Sequence, residues 1–295
     1  MITHAFTPLR RGLLSVSAAA IAWGVGGAAA DELFRTSGLG PVAVSFWRFA
    51  IAAAVLAAPR LCRPAELRPA ELRPTSCRRA AVLTGVALAA YQTAYFGAVQ
   101  DAGLALGTMV ALGASPILVS VGAHVLLGER LTRRGTAAVG IALLGLLLLV
   151  ARPVSGPRPA VGIALALLSA VGYSAVTLHA RRTGNATAGA TTWSAGALCL
   201  VPFALAEGAW PRAEGVAVSG SWLIFLGVVP TVLAYRWYFS GLTTVRSTTA
   251  AVLVLLEPAT AAFLAFLLGE PISTSLALGS VLLLTAIVVL ARDTS

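Results

Sequence analysis

The chain is 295 residues long, 58% hydrophobic and only 11% charged, with a mean hydropathy of +0.88. A soluble domain carries charge on about a quarter of its residues, so these proportions exclude a globule wetted on all sides and point to a protein covered largely by bilayer. The net charge of +10 comes from 21 arginines and no lysine, set between apolar stretches rather than gathered on one face, which argues against a nucleic-acid partner.

Charged residues divide the chain into ten apolar blocks of spanning length. The first, Gly12–Ala30, follows Arg10-Arg11 and ends in three alanines before Asp31, a pattern shared with cleavable signal peptides. It is charge-free for 19 residues, long enough to span, and a later block needs it as its partner in the repeat described below, so it is taken as the first helix. The second block, Pro41–Ala58, carries Arg48 internally. That side chain either snorkels to the outer interface or turns inward to meet a carboxylate on a solute or on Glu257. From Arg60 to Arg79 the chain is Arg- and Pro-rich and reads as a loop or short surface helix. Cys62, Cys77 and Cys199 lack metal-ligand spacing and read as incidental.

The third block, Ala80–Gln100, sets Tyr91 and Tyr95 one turn apart with Gln92 beside them, a group that either walls an amphipathic pocket or packs against neighbours. Trp23 in the first block is similar. The fourth, Ala102–Gly128, has Pro116 near its middle, in a stripe with Thr108, Ser120 and His124. A proline there removes a backbone donor and frees a carbonyl one turn upstream. At membrane depth, such backbone is tolerated where it faces protein or a wet cavity. Gly135–Ala151, Ala160–Ala180, Thr183–Ala206 and Gly215–Tyr235 follow, with Tyr173, Tyr235, Trp237 and Tyr238 joining the candidate pocket aromatics. Arg236 falls in the last turns of the eighth helix and is read as snorkelling to the inner interface. In the ninth block, Ser247–Gly269, Glu257 stands beside Pro258, 11 residues from Arg246 and 13 from Glu270, near the midplane. A charge there costs about 2.5–3.5 kcal/mol on insertion scales unless it is paired, wetted or protonated. Glu257 is therefore a proton carrier, a cationic-solute site or a brace at the Pro258 bend. Ile272–Ala291 completes the set.

Arginine placement orients the blocks. With the N-terminus in the cytoplasm, inner segments hold fifteen arginines and outer segments four. Both termini then lie inside. The two halves also resemble each other. Leu127-Gly128-Glu129 answers Leu268-Gly269-Glu270, Pro116 answers Pro258, and Tyr95-Phe96 answers Tyr238-Phe239, at offsets of 141, 142 and 143 residues. Five helices per half is an odd number, so the second copy enters the membrane from the opposite side. Inverted repeats of this kind recur in secondary transporters because they supply two similar-energy states. The fold class expected is thus all-α integral membrane, with ten transmembrane helices as two inverted five-helix repeats over residues 12–151 and 160–291.

The chain resembles the drug/metabolite transporter superfamily in its ten-helix EamA-type branch. The resemblance rests on Trp23-Gly24, on Ser45-Phe46-Trp47-Arg48-Phe49, on Ser115-Pro116 leading to Leu127-Gly128-Glu129-Arg130-Leu131, and on Leu256-Glu257-Pro258 leading to Leu268-Gly269-Glu270. It implies an inner (plasma) membrane carrier exporting amino acids, other metabolites or drugs through a cavity between the halves. Two features depart from the pattern: the shorter Pro258-to-Glu270 interval, and Arg236 where that helix is usually apolar or aromatic. The candidate solute or coupling residues are Glu257, Trp23, Arg48, Tyr91, Gln92, Tyr95, Pro116, Tyr235 and Pro258. No cofactor, metal set or Walker-type loop is expected, and the partners are a small solute, lipid and, as the candidate coupling ion, protons. The alternative reading is a membrane-embedded enzyme or lipid-processing protein.

Overall fold

The computed structural model describes residues 8–61, 75–102, 104–129, 132–150, 157–183, 189–212, 215–267 and 274–291. Among them every regular element is helical: α1 (Pro8–Ser37), α2 (Pro41–Leu61), α3 (Thr75–Ala102), α4 (Leu104–Leu127), α5 (Arg133–Val150), α6 (Pro159–Thr183), α7 (Ala190–Glu207), α8 (Val216–Gly227), a π-helical stretch (Val228–Leu233), α9 (Ala234–Leu242), α10 (Ser247–Leu253), α11 (Leu256–Leu267) and α12 (Thr274–Ala291). Most of the expected Arg60–Arg79 segment, with Cys62, lies outside the described residues, as does Glu270.

Local chemistry sets the boundaries. The first helix runs beyond its apolar block to Ser37, whose Oγ donates to Leu33 O (2.6 Å) and accepts from Leu39 N (3.1 Å). Gly38 then takes φ +71°, a left-handed turn that stops a helix. Pro41 opens α2 at a position where its missing N–H costs nothing, and Glu207 accepts from the free Ala43 N–H (2.7 Å). The Leu-Leu-Gly-Glu motif is likewise a stop: Gly128 sits at φ +66° and Glu129 N–H closes on Ala123 O (3.1 Å). The eighth block becomes a continuous rod, Val216–Leu242, whose ladder widens around Pro230. The ninth block is broken. Val254 and Leu255 form a turn, Leu255 N bonding Val252 O (3.0 Å) and Glu257 N bonding Val254 O (2.9 Å), immediately ahead of Pro258, whose ring cannot sit above an intact α-turn.

Among the described residues six helices are long and apolar enough to cross a bilayer: Pro8–Ser37, Pro41–Pro59, Arg78–Ala102, Leu106–Leu127, Pro159–Thr183 and Val216–Leu242. The expectation of ten spans is met to that extent. The helices α5, α7 and α12 have 18 residues each, about 27 Å against a hydrocarbon core of roughly 30 Å. The broken ninth block leaves the shorter apolar helix Ser247–Ala261. Apolar side chains such as Leu83, Val125 and Leu198 are 70% or more exposed, the outer surface of a chain clothed by lipid tails rather than water.

Two sets of hydrogen bonds define the ends of the bundle. At one end Asp101 meets Arg158, Glu207 meets Ala43, and Arg212 N bonds Ser37 O (3.1 Å). At the other, Glu129, Arg181, Leu242 and Ser247 converge. Helices α4 and α6 and the rod of α8 and α9 run from the first set to the second, and α1, from Gly12 beside Gly241 to Ser37, runs the other way. The second set lies at the arginine-rich end.

The helix pairs in contact also repeat on exchanging the halves. The pairing of α3 with α6 answers that of α1 with the α8–α9 rod, and α4 with α6 answers α1 with α10 and α11. Likewise α3 with α7 answers α2 with α8, while α5 with α12 and α2 with α7 map onto themselves. The first helix of each half thus docks chiefly on the other half, and the two are interlocked. Glycines permit the closest crossings. At Gly24 a Cβ would lie 2.5 Å from Glu257 O, and at Gly145 it would lie 2.9 Å from Gly279 O and 3.0 Å from Leu282 Cβ. Neither obstacle at Gly145 is a flexible side-chain tip. Gly145→Leu is therefore expected to destabilise the α5–α12 pair by about 1–3 kcal/mol. A thermal midpoint in detergent equal to that of the unsubstituted chain would show the crossing to be looser than described.

Candidate functional site

The middle turns of seven of these rods surround a cavity of about 100 Å³, room for a few water molecules or a small solute. Its depth follows from sequence position. Trp23 is at the centre of the 30-residue α1, and Glu257 is midway between Ser247 and Leu267. From α1 the cavity receives Trp23, Gly26 and Gly27, from α2 Arg48, and from α3 Tyr91, Gln92, Tyr95 and Phe96. Ala111, Leu112 and Ser115 of α4 and Ser169 and Tyr173 of α6 close two further sides. Pro230, Tyr235, Val254 and Glu257 complete the wall.

Arg48 is buried, its Nε donating to Thr231 Oγ1 (3.1 Å) and its guanidinium carbon 5.6 Å from the centre of the Phe96 ring. It has turned inward rather than snorkelled. The π-helical stretch makes this possible: Thr231 Oγ1 donates to Leu226 O (2.7 Å), five residues back, leaving its lone pair to face Arg48. Trp23 Nε1 donates to Pro230 O (2.8 Å), and its ring lies 5.0 Å from Tyr235 and 5.2 Å from Tyr238. The Tyr91 and Tyr235 hydroxyls are hydrogen-bonded across the halves. Tyr95 bonds Thr108 (3.0 Å).

Two polar groups on the wall are underused. The amide Nε2 of buried Gln92 has no hydrogen-bond partner among the described residues, and a buried donor left unpaired is costly. Glu257 forms no ion pair among the described residues, although Arg48 stands on the same cavity. The site thus presents a guanidinium and a free amide on one side, a carboxylate on another, and aromatic rings between them. Such a pocket can hold an amphipathic solute by its polar ends while its body lies against rings.

Toward the arginine-rich end the cavity floor is a second hydroxyl cluster. Tyr173 and Tyr238 are bonded (2.7 Å), and Tyr238 is bonded to Thr177 (2.8 Å). Beyond it Glu129 accepts from Arg181 Nε (3.2 Å), Ser247 N (3.2 Å) and Ser247 Oγ (3.4 Å), while Arg181 Nη1 also donates to Leu242 O (2.8 Å) and Thr243 O (2.9 Å). One carboxylate and one guanidinium thereby tie α4, α6, α9 and α10 together.

Seven of the nine sequence candidates, Trp23, Arg48, Tyr91, Gln92, Tyr95, Tyr235 and Glu257, lie on this cavity. Pro116 and Pro258 are buried beside it but not on it. Their neighbours supply the wall: Leu112, whose carbonyl Pro116 leaves without its helical donor, and Val254 upstream of Pro258. Ser169 and Pro230 were not foreseen. Nothing in the sequence distinguishes Ser169, but Pro230, mid-block like Pro116, carried the same signal. Of the polar stripe on α4, Thr108, Pro116 and Ser120 are buried and His124 is exposed.

The sequence profile described as the EamA-like transporter family matches residues 10–151 and again 160–292. An uncharacterised transporter, YwfM, of Bacillus subtilis (strain 168) is 30% identical over 217 residues, covering 70% of this chain and 71% of that protein. An uncharacterised transporter of Archaeoglobus fulgidus is 27% identical over 220 residues, 72% of this chain and 76% of its own. A solved crystal structure superposes with a TM-score of 0.79 over 96% of this chain and 98% of its own, at 23% identity, a likeness of fold.

Proposed function

Because the chain belongs to the EamA-like transporter family, we propose that it is a secondary carrier that moves a small amphipathic solute through the mid-depth cavity by alternating access. The observation that carries this reading is the cavity's composition. Both halves build it from the middle turns of their helices, and it holds a cation, Arg48, and a carboxylate, Glu257, that are not joined in an ion pair among the described residues. The halves, residues 12–151 and 160–291, are five-helix repeats of opposite sense, ten spans in all. The exchange pattern of packed helices supports that arrangement. Arginine distribution supports a plasma-membrane orientation with both termini cytoplasmic.

The solute's acceptor group, a carboxylate or carbonyl, faces Arg48 and the free amide of Gln92. Its apolar body lies against Trp23, Tyr91 and Tyr235. Glu257 receives either the solute's cationic group or a proton, and transport runs outward as export against proton entry.

Ligand binding to the folded state raises apparent stability. A thermal-shift screen of purified protein against amino acids, sugars and cationic drugs is expected to find stabilisation by a solute bearing both an acceptor group and an apolar body. That stabilisation is expected to be lost in Arg48→Lys, since a point ammonium cannot reproduce the guanidinium's fork. Gradient-dependent flux of the same solute in proteoliposomes completes the test. Covalent turnover with no dependence on a gradient would instead favour a membrane enzyme.

A further inference from the structure

The transport site leaves Arg236 unexplained. It lies in α9, six residues before Leu242 and so about 9 Å inside the end of the rod, and its side chain is exposed. The exposed residues of α9 and the turn after it are Arg236, Trp237, Ser240, Thr243 and Thr244, a polar stripe at helical spacing on the outer surface of a membrane helix. Its inward face, by contrast, is buried and apolar through Tyr235, Tyr238, Phe239 and Leu242. Apolar side chains are what lipid tails require of an outward face, and α9 supplies the reverse. Thr243 and Thr244 return their hydroxyls to Ser240 O and Gly241 O, which leaves the stripe's ligand-seeking donors on Arg236.

The neighbours add charge of the same sign. The first helix runs antiparallel beside α9, with Gly241 against Val16 and Gly12 against Thr244 and Val245. This brings exposed Arg10 and Arg11 to the foot of the stripe, next to exposed Arg246. None of these four arginines is paired with a carboxylate among the described residues. Trp237, 37% exposed, adds an indole of the kind that sits at headgroup level, and Leu14 and Ile21 of α1 present exposed apolar surface.

We infer that the outer face of α9, with the foot of α1, is a binding site for an anionic phospholipid of the arginine-rich leaflet, its phosphate held by Arg236 and its acyl chains lying along α1. Charge complementarity selects the occupant: a zwitterionic lipid offers the same phosphate with a cation attached, and four guanidinium groups with no carboxylate partner among the described residues favour the net-negative headgroup. The inference rests on membrane placement alone and stands or falls separately from the transport cycle.

Native mass spectrometry of the purified full chain, given phosphatidylglycerol or phosphatidylcholine in the same detergent, tests it. The expected result is preferential retention of phosphatidylglycerol, weakened about fivefold in Arg236→Ala, kept in Arg236→Lys, and unchanged in Arg212→Ala at the opposite end. Thermal midpoints of the variants separate loss of lipid from loss of fold. Equal retention of the two lipids, or undiminished phosphatidylglycerol retention in folded Arg236→Ala, would overturn the site. So would displacement of the lipid by millimolar inorganic phosphate, which would mark a simple anion site, or a stable dimer that Arg236→Ala dissociates, which would give this face to a second copy.

Discussion

Glu257→Gln is expected to cut proton-gradient-driven flux in proteoliposomes by about tenfold or more while leaving the thermal midpoint unchanged or slightly raised. The amide has the carboxylate's shape but cannot ionise, and an uncharged group is cheaper at mid-depth. The side chain forms no ion pair among the described residues and faces the cavity, so the substitution breaks no direct contact of its carboxylate. If Glu257 were a brace at the Pro258 bend, the same change would lower stability and spare flux. That bend is held by the backbone, through Glu257 N to Val254 O, which the substitution does not touch. Full gradient-driven flux in a folded Glu257→Gln protein removes the residue from coupling.

Glu129→Ala is expected to open the arginine-rich end. The carboxylate is the shared acceptor for Arg181 and Ser247, with side chains 15% and 25% exposed for Glu129 and Arg181. Removing one partner of a fully buried pair costs about 3–5 kcal/mol, and partial solvent access here reduces that to about 1–3 kcal/mol. The bonds exist only while α4, α6 and α10 are gathered, so the loss falls on the closed state, and about 1.4 kcal/mol shifts the population tenfold. A cysteine placed at Ser115 on the cavity wall, in a chain whose Cys62, Cys77 and Cys199 are replaced, reports the change. Labelling from the arginine-rich side is expected to accelerate about tenfold. An unchanged rate together with a lower thermal midpoint would make the junction structural only.

Depth was the most legible property of this chain, because charges interrupt an otherwise apolar sequence and thereby measure distance from each interface. Glu257 was placed near the midplane by counting alone, and the structure sets it on the cavity. Direction around a helix was less legible. Arg48, seven residues into its block, read more readily as snorkelling outward than as turning in. What turned it inward is Thr231, freed by a π-helical stretch that no local pattern announces. The ninth block looked like one span because a single charge, Glu257, interrupts its apolar run, whereas a proline's effect on the turn before it depends on what fills the gap. Ser169 carries no signal of its own and owes its position wholly to the packing of α6 against α3 and α4.

The exchange of first helices between the halves bears on how the chain is made. The seat of α1 is formed by α8 through α11, and Gly24 and Glu257, which touch, stand 233 positions apart in the order of synthesis. During translation α1 enters the bilayer with its docking surface not yet made, its small residues facing lipid or an insertion factor until more than two hundred further residues have emerged. The cavity's first wall is therefore laid down early and its last arrives near the end, so no product truncated before Glu257 holds a finished site.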